Sequence, residues 1–159
     1  MSDTKTRDRT APTYQSDFYA WTQDQAARLR EARPNSIDWE NVAEEIESVG
    51  GSEKREIRSR LKVLLKHLLK WEFQPEKRKY GWRVTIDYQR DMIAAAVEVS
   101  PSLRRFPAEV LADSYRLAVY EAIDDTGLPP RAFPEMSPYS IVQALDRTFF
   151  PGPAEPDVR

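Results

Sequence analysis

The 159-residue chain has no cysteine and a single histidine, His67. Disulfides, thiolate metal centres, iron–sulfur clusters and cysteine nucleophiles are therefore excluded, as is any site needing two imidazoles. Glycine is scarce too, at five residues, while the twelve prolines gather mostly outside the segments of regular apolar spacing. That distribution suits helices joined by stiff connections. The chain lacks the run of about 18 uncharged apolar residues that a membrane span requires. Met1 to Thr10 is polar and charged, unlike a secretory signal, so a cytoplasmic protein with no membrane partner is expected. Nor does any segment alternate with the period of two that marks a strand.

What is present is helical periodicity. The composition, 40% apolar and 31% charged, fits one globular domain with a substantial core. Residues 1–13 and 151–159 read as disordered tails around a domain at 14–150. A first helix is expected from Asp17, a good N-cap, to Ala32, where Pro34-Asn35-Ser36 makes a turn. A second runs from Asp38 to Val49 on the stripe Trp39, Val42, Ala43, Ile46 and Val49. Gly50-Gly51 reads as a left-handed cap and turn, after which Glu53 to Phe73 forms a third helix on Ile57, Leu61, Leu64, Leu65 and Leu68. The expectation is an antiparallel hairpin from Asp38 to Phe73, with a continuous bent helix as the alternative.

Beyond a basic loop at Pro75 to Gly81, a helix is expected over Trp82–Glu98, and Ser100-Pro101-Ser102 should start a short turn or helix through Phe106, with Pro101 at the first helical position. A long helix from Pro107 should end at Thr126-Gly127, Pro107 either starting it or kinking a longer one. Phe133 and Phe149-Phe150 should pack back on the body, with a last helix at Tyr139–Arg147. The class is all-α: a bundle of five to six helices organised around the hairpin.

Charge is unevenly spread. From Lys54 to Arg90 twelve Lys/Arg face four Asp/Glu, and the remainder is acidic enough to leave a net charge of −2. Such separation serves either an internal pairing of faces or an external polyanion.

Three constellations carry candidate chemistry. In the expected hairpin, Glu45 would face the line of Arg60, His67 and Trp71. A carboxylate orienting an imidazole is the arrangement of general-base catalysis, with Lys70 or Arg83 as anion stabiliser. The bland counterpart is a half-buried structural histidine. Ser48, Ser59 and Thr85 qualify as nucleophiles by residue type alone. Glu44, Glu45 and His67 would suit one hard or borderline ion, but the Glu-x-x-His pairs of di-iron bundles are missing and solvated helix surface explains the acids. No metal or cofactor is expected. Finally, Arg55, Arg58, Lys62, Lys66 and Lys70 make a cationic helix face with aromatics nearby, a nucleic-acid signature that the pI of about 5.6 weighs against. A solvated face partly answered by the acidic second helix is preferred. Trp71, Trp82 and Gln89 are candidates for lining a pocket.

Several motifs, taken in order, resemble a known family. They are Phe18-Tyr19-Ala20-Trp21, Glu44-Glu45-Ile46-Glu47, His67-Leu68-Leu69-Lys70-Trp71, Gln74-Pro75, Trp82-Arg83-Val84-Thr85-Ile86, Gln89-Arg90, Ser100-Pro101-Ser102-Leu103 and Phe133-Pro134. Together they resemble the bacterial domain of unknown function 29, over about residues 14 to 150. The resemblance implies a compact α-helical protein without an established activity, cofactor or substrate. It also marks Asn41, Glu44, Glu45, His67, Lys70, Trp71, Gln74, Trp82, Thr85 and Gln89 as motif positions. The chain departs from similar members at Pro107, and at Ser137, where some carry Cys. The expected role is a binding or interaction module, acting on a protein partner or on itself. A hydrolase using His67 with Glu45, and nucleic-acid binding, are the alternatives.

Overall fold

A computed structural model describes residues 11–32 and 38–154. The expected turn at 34–36 and most of both expected tails lie outside these residues. Among the described residues six α-helices follow in order: α1 (Phe18–Ala32), α2 (Trp39–Phe73), α3 (Tyr80–Val99), α4 (Phe106–Glu109), α5 (Leu111–Thr126) and α6 (Ile141–Leu145). Among the described residues there is no strand.

The expected hairpin does not form. α2 is one helix of 35 residues that passes through Gly50-Gly51 without a break. Among the described residues only Gly127 and Gly152 have positive φ, so neither Gly50 nor Gly51 uses the left-handed freedom of the residue. What Gly50 supplies is closeness. It is buried against α1, and a Cβ built there would stand 2.0 Å from Oγ1 of Thr22. The glycine that looked like a turn is the crossing point of two helices.

α1 therefore takes the place that the expected second helix had in the hairpin, and it runs antiparallel to the first half of α2. Arg30, in the last turn of α1, reaches Glu40 at 3.0 Å and clamps Glu47 at 2.5 and 2.9 Å. At the other end the Lys54 ammonium lies 4.7 Å from the centre of the Tyr19 ring. Asp17 caps α1, accepting from the Ala20 amide at 2.8 Å, and also holds the 3-10 turn at Pro101–Leu103 through Ser102 N and Oγ. Ser100 returns the tie, its Oγ accepting from the Tyr19 amide at 3.0 Å. The Ser100-Pro101-Ser102 motif thus docks the start of α1 to the body.

The second half of α2 is the mast of that body. Ile57, Leu61, Leu64, Leu65, Leu68 and Leu69 are all 0% exposed. The buried arc is wider than the expected stripe because α3 and α5 both pack on this half of the helix. Val110 separates α4 from α5, so Pro107 belongs to a short helix of its own. α5 stops at Gly127, with φ +70°, as the sequence indicates. The last helix is shorter than expected, Ile141–Leu145, because the capping box formed by Ser140 and Gln143 starts it late.

The chain then returns across α2 and α3 as a strap. Phe150 packs 5.2 Å from Trp71, and Phe149 lies 5.8 Å from Tyr139. Arg90 is 3% exposed and donates to the carbonyls of Ala144 (2.8 Å) and Phe149 (2.7 Å). Residues just past Phe150 also contact the body. Pro151 is buried, and Arg78 donates to the carbonyls of Trp71, Pro151 and Pro153 at 2.9, 3.2 and 2.7 Å.

Candidate functional site

Because α2 is continuous, Glu45 and His67 sit 22 residues apart on one helix, about 33 Å at 1.5 Å per residue. The dyad of the hydrolase reading, and the Glu44–Glu45–His67 ion site with it, are not assembled. Glu44 and Glu45 are exposed on the first half of α2. Asn41 is engaged locally, its side-chain amide donating to Asp38 at 2.6 Å in the N-cap. Among the described residues no cluster of three His, Asp or Glu is placed to hold a metal.

His67 lies half-buried on the mast, with Nδ1 2.8 Å from the Val63 carbonyl one turn back. That geometry protonates Nδ1 and leaves Nε2 with the lone pair. Burial pushes its pKa below the ordinary value; the Val63 contact opposes this, and the Lys70 and Lys66 charges reinforce it. The imidazole is thus tied through Nδ1 to its own helix.

The cationic face of α2 is answered by α5 and not by the acidic start of α2. Lys62 and Lys66 both meet Glu121, the latter at 3.2 Å, and Lys66 and Lys70 meet Asp125 at 3.5 and 2.8 Å. Hydrogen bonds from Lys62 and Lys70 respectively are the main reason both carboxyls titrate below their usual range. Lys70 also lies 4.9 Å over the Trp82 ring. The i, i+4, i+8 spacing of Lys62, Lys66 and Lys70 is therefore one side of an interhelical zipper. Arg55 and Arg58 stay exposed beyond it.

The remaining candidates divide between two places. Gln89 accepts from Arg60 at 3.4 Å beside an open recess of about 290 Å³ lined by Glu56, Ser59, Arg60, Val63 and Gln89. Thr85 donates to the Gly81 carbonyl within its own helix, at 2.9 Å. Trp71 and Arg83 come together in a recess of about 320 Å³ whose other lining residues are Arg78, Lys79 and Tyr80. Trp82 is 8% exposed, a member of the core cluster, and does not line this recess. A third recess, about 400 Å³, is lined by Lys66, Tyr120, Glu121, Asp124 and Asp125. Sequence reasoning placed Tyr80 among the aromatics near the cationic face but did not single out Arg78 and Lys79. The signal was present, since residues 77–83 hold four cations and no acid.

Fold and site together define a small all-α protein with an open cationic recess and no assembled catalytic dyad among the described residues. The family described as "Domain of unknown function DUF29" matches residues 13–150, and the chain belongs to it. A crystal structure of an alpha-helical protein of unknown function from Rhodospirillum rubrum is similar, with a TM-score of 0.69 and 26% identity. The match covers 87% of this chain and 92% of that one. None of the curated proteins compared matches the chain. Among the described residues no helix is long and apolar enough to cross a membrane.

Proposed function

We propose that the protein is a binding module that engages an apolar helical surface through the two-helix arm of α1 and the first half of α2. The observation that carries this reading is the one-sidedness of the arm. Successive residues turn about 100° around a helix. The Arg30–Glu47 clamp therefore closes one flank, while Phe18, Trp21 and Leu29 of α1 share the other with Val42, Ile46 and Val49 of α2. Val42 and Val49 are 38% and 51% exposed, and the Tyr14 ring, 62% exposed, lies edge-on to Phe18 and Trp21 at 5.5 and 5.1 Å. The body's core cluster begins only at Ile57. Among the described residues, no second layer of the kind that normally buries such an apolar stripe covers Val42 and Val49.

A second copy is the simplest partner, since two such arms face to face make a four-helix bundle with a self-complementary interface. Sedimentation velocity from 1 to about 300 µM tests this, comparing wild type with a Val42→Glu, Val49→Glu double variant. A concentration-dependent dimer that the variant loses is the expected result. A strictly monomeric wild type, together with identical retention of lysate proteins by wild type and variant, overturns the reading.

A further inference from the structure

We propose that the recess between the end of α2 and the first turn of α3 is a binding site for a small phosphomonoester carrying a planar ring. Its electrostatics are one-signed. Arg78, Lys79 and Arg83 line it with no carboxylate, whereas the two other recesses described above contain Glu56, or Glu121, Asp124 and Asp125. The roles of the three cations differ. Arg78 is locked by the carbonyls of Trp71, Pro151 and Pro153 and lies 4.8 Å over the Trp71 ring, so it contributes fixed positive charge. Lys79 and Arg83 are exposed and take part in none of the ion pairs or side-chain hydrogen bonds among the described residues. The Arg83 guanidinium carbon lies 4.7 Å from the centre of the Phe150 ring, a cation–π contact that uses none of its N–H donors.

The wall between them adds to this. Lys79 is the N-cap of α3 and its side chain makes no capping hydrogen bond; the Trp82 amide donates to the Lys79 carbonyl at 3.0 Å, which leaves the Tyr80 and Gly81 amides at the start of the 20-residue helix without a side-chain acceptor. The next residues are Tyr80, with its ring 81% exposed at the mouth, and Gly81, where an added Cβ would meet nothing within 4 Å. Guanidinium, ammonium and helix end suit phosphate oxygens, and an exposed tyrosine ring suits a planar base. A volume of about 320 Å³ is at the small-ligand end of the pocket range, near 300–1,000 Å³. A nucleic-acid strand is the less apt ligand, because the nearby cations that would extend the track, Lys66 and Lys70, are neutralised by Glu121 and Asp125.

Isothermal titration calorimetry at low salt with AMP, adenosine, inorganic phosphate and a single-stranded decanucleotide tests the site on the full chain. AMP should bind saturably, with adenosine and phosphate each at least about tenfold weaker. Lys79→Glu, and separately Arg83→Gln, should each weaken AMP about tenfold or more without moving the melting temperature. Tyr80→Ala should weaken AMP and leave phosphate unchanged. No saturable AMP binding at about 10 mM, or binding that both charge variants retain, overturns the proposal. Equal affinity for phosphate and AMP overturns the ring preference, and a decanucleotide that binds about a hundredfold tighter than AMP assigns the recess to a strand instead.

Discussion

At the scale of single residues, adjacent glycines in α2 do different work, and substitutions separate them. Glycine within a helix costs roughly 1 kcal/mol relative to alanine. At Gly51 an added Cβ would lie 3.4 Å from only the far end of the Arg55 side chain. Gly51→Ala should therefore raise the stability by about 0.5–1 kcal/mol in urea denaturation. At Gly50 the same Cβ would overlap Thr22 Oγ1, which is itself bonded to the Tyr19 carbonyl at 2.7 Å. Gly50→Ala should destabilise by about 1–3 kcal/mol, because α1 must move away or Thr22 must leave its rotamer. If Gly51→Ala destabilises instead, Gly51 is in a turn and α2 is not continuous. His67 offers a second test, since it is the one imidazole in the sequence. Its folded pKa lies below its unfolded value near 6.5, chiefly through burial. The imidazole therefore favours the folded state above pH 6.5, and that contribution is lost as pH falls towards the folded pKa. Its ring signals in a proton NMR titration should shift with a midpoint below 6.5, and His67→Gln should flatten the loss of stability between pH 6.5 and 5.5. A midpoint above 6.5 would mean that a carboxylate pairs with the ring.

At the scale of elements, charge pairs of similar appearance carry unlike weights. The Lys66 pairs with Glu121 and Asp125 sit on a partly solvated seam, the acids being 37% and 33% exposed. Such pairs are worth under about 1 kcal/mol each, so Lys66→Met should leave the urea midpoint nearly unchanged. Arg90 is different, for it is buried and holds two carbonyls of the strap at 2.8 and 2.7 Å. Arg90→Leu leaves those acceptors without a donor, at about 1–3 kcal/mol each, partly offset by removing a desolvated charge. A net loss of about 2–4 kcal/mol is expected. Hydrogen exchange should quicken at the amides of 141–150 while those of Ile57 to Leu69 stay protected. The sequence made much of this level legible. The apolar spacing of Ile57 to Leu68, the Asp17 cap and the stop at Gly127 are local patterns, and local patterns survive folding. The partner of Gly50 is Thr22, 28 residues earlier, and nothing within a helix-length window distinguishes a glycine that turns the chain from one that admits a neighbour. The hairpin error then propagated, since the Glu45–His67 site depended on it. The return of Phe149-Phe150 onto the body was legible and is seen in their contacts with Tyr139 and Trp71, but the ties that hold the strap were not: Arg78 and Arg90 bind backbone carbonyls, which leave no trace in side-chain identity.

At the scale of the whole molecule, α2 is one helix in two environments. From Ile57 onward it is packed by α3 and α5, and its core leucines are fully buried. Before that point its companion is α1, and Val42 and Val49 face outward. Opening free energy tracks buried apolar packing, so protection should not be uniform along a helix placed this way. Amide exchange should show a step near Ile57, with α1 and residues 39–54 exchanging faster than 57–72. Gly50→Ala should quicken only the faster set, because the Gly50–Thr22 contact joins α1 to the first half of α2. Self-association through the arm would act in the opposite direction. Raising the protein concentration from 1 to about 300 µM should then slow exchange in 18–32 and 39–54 alone and leave the mast unchanged, by mass action on the folded arm. A uniform change along α2 would instead mean that arm and body open as one cooperative unit, with no independent surface for a partner to capture.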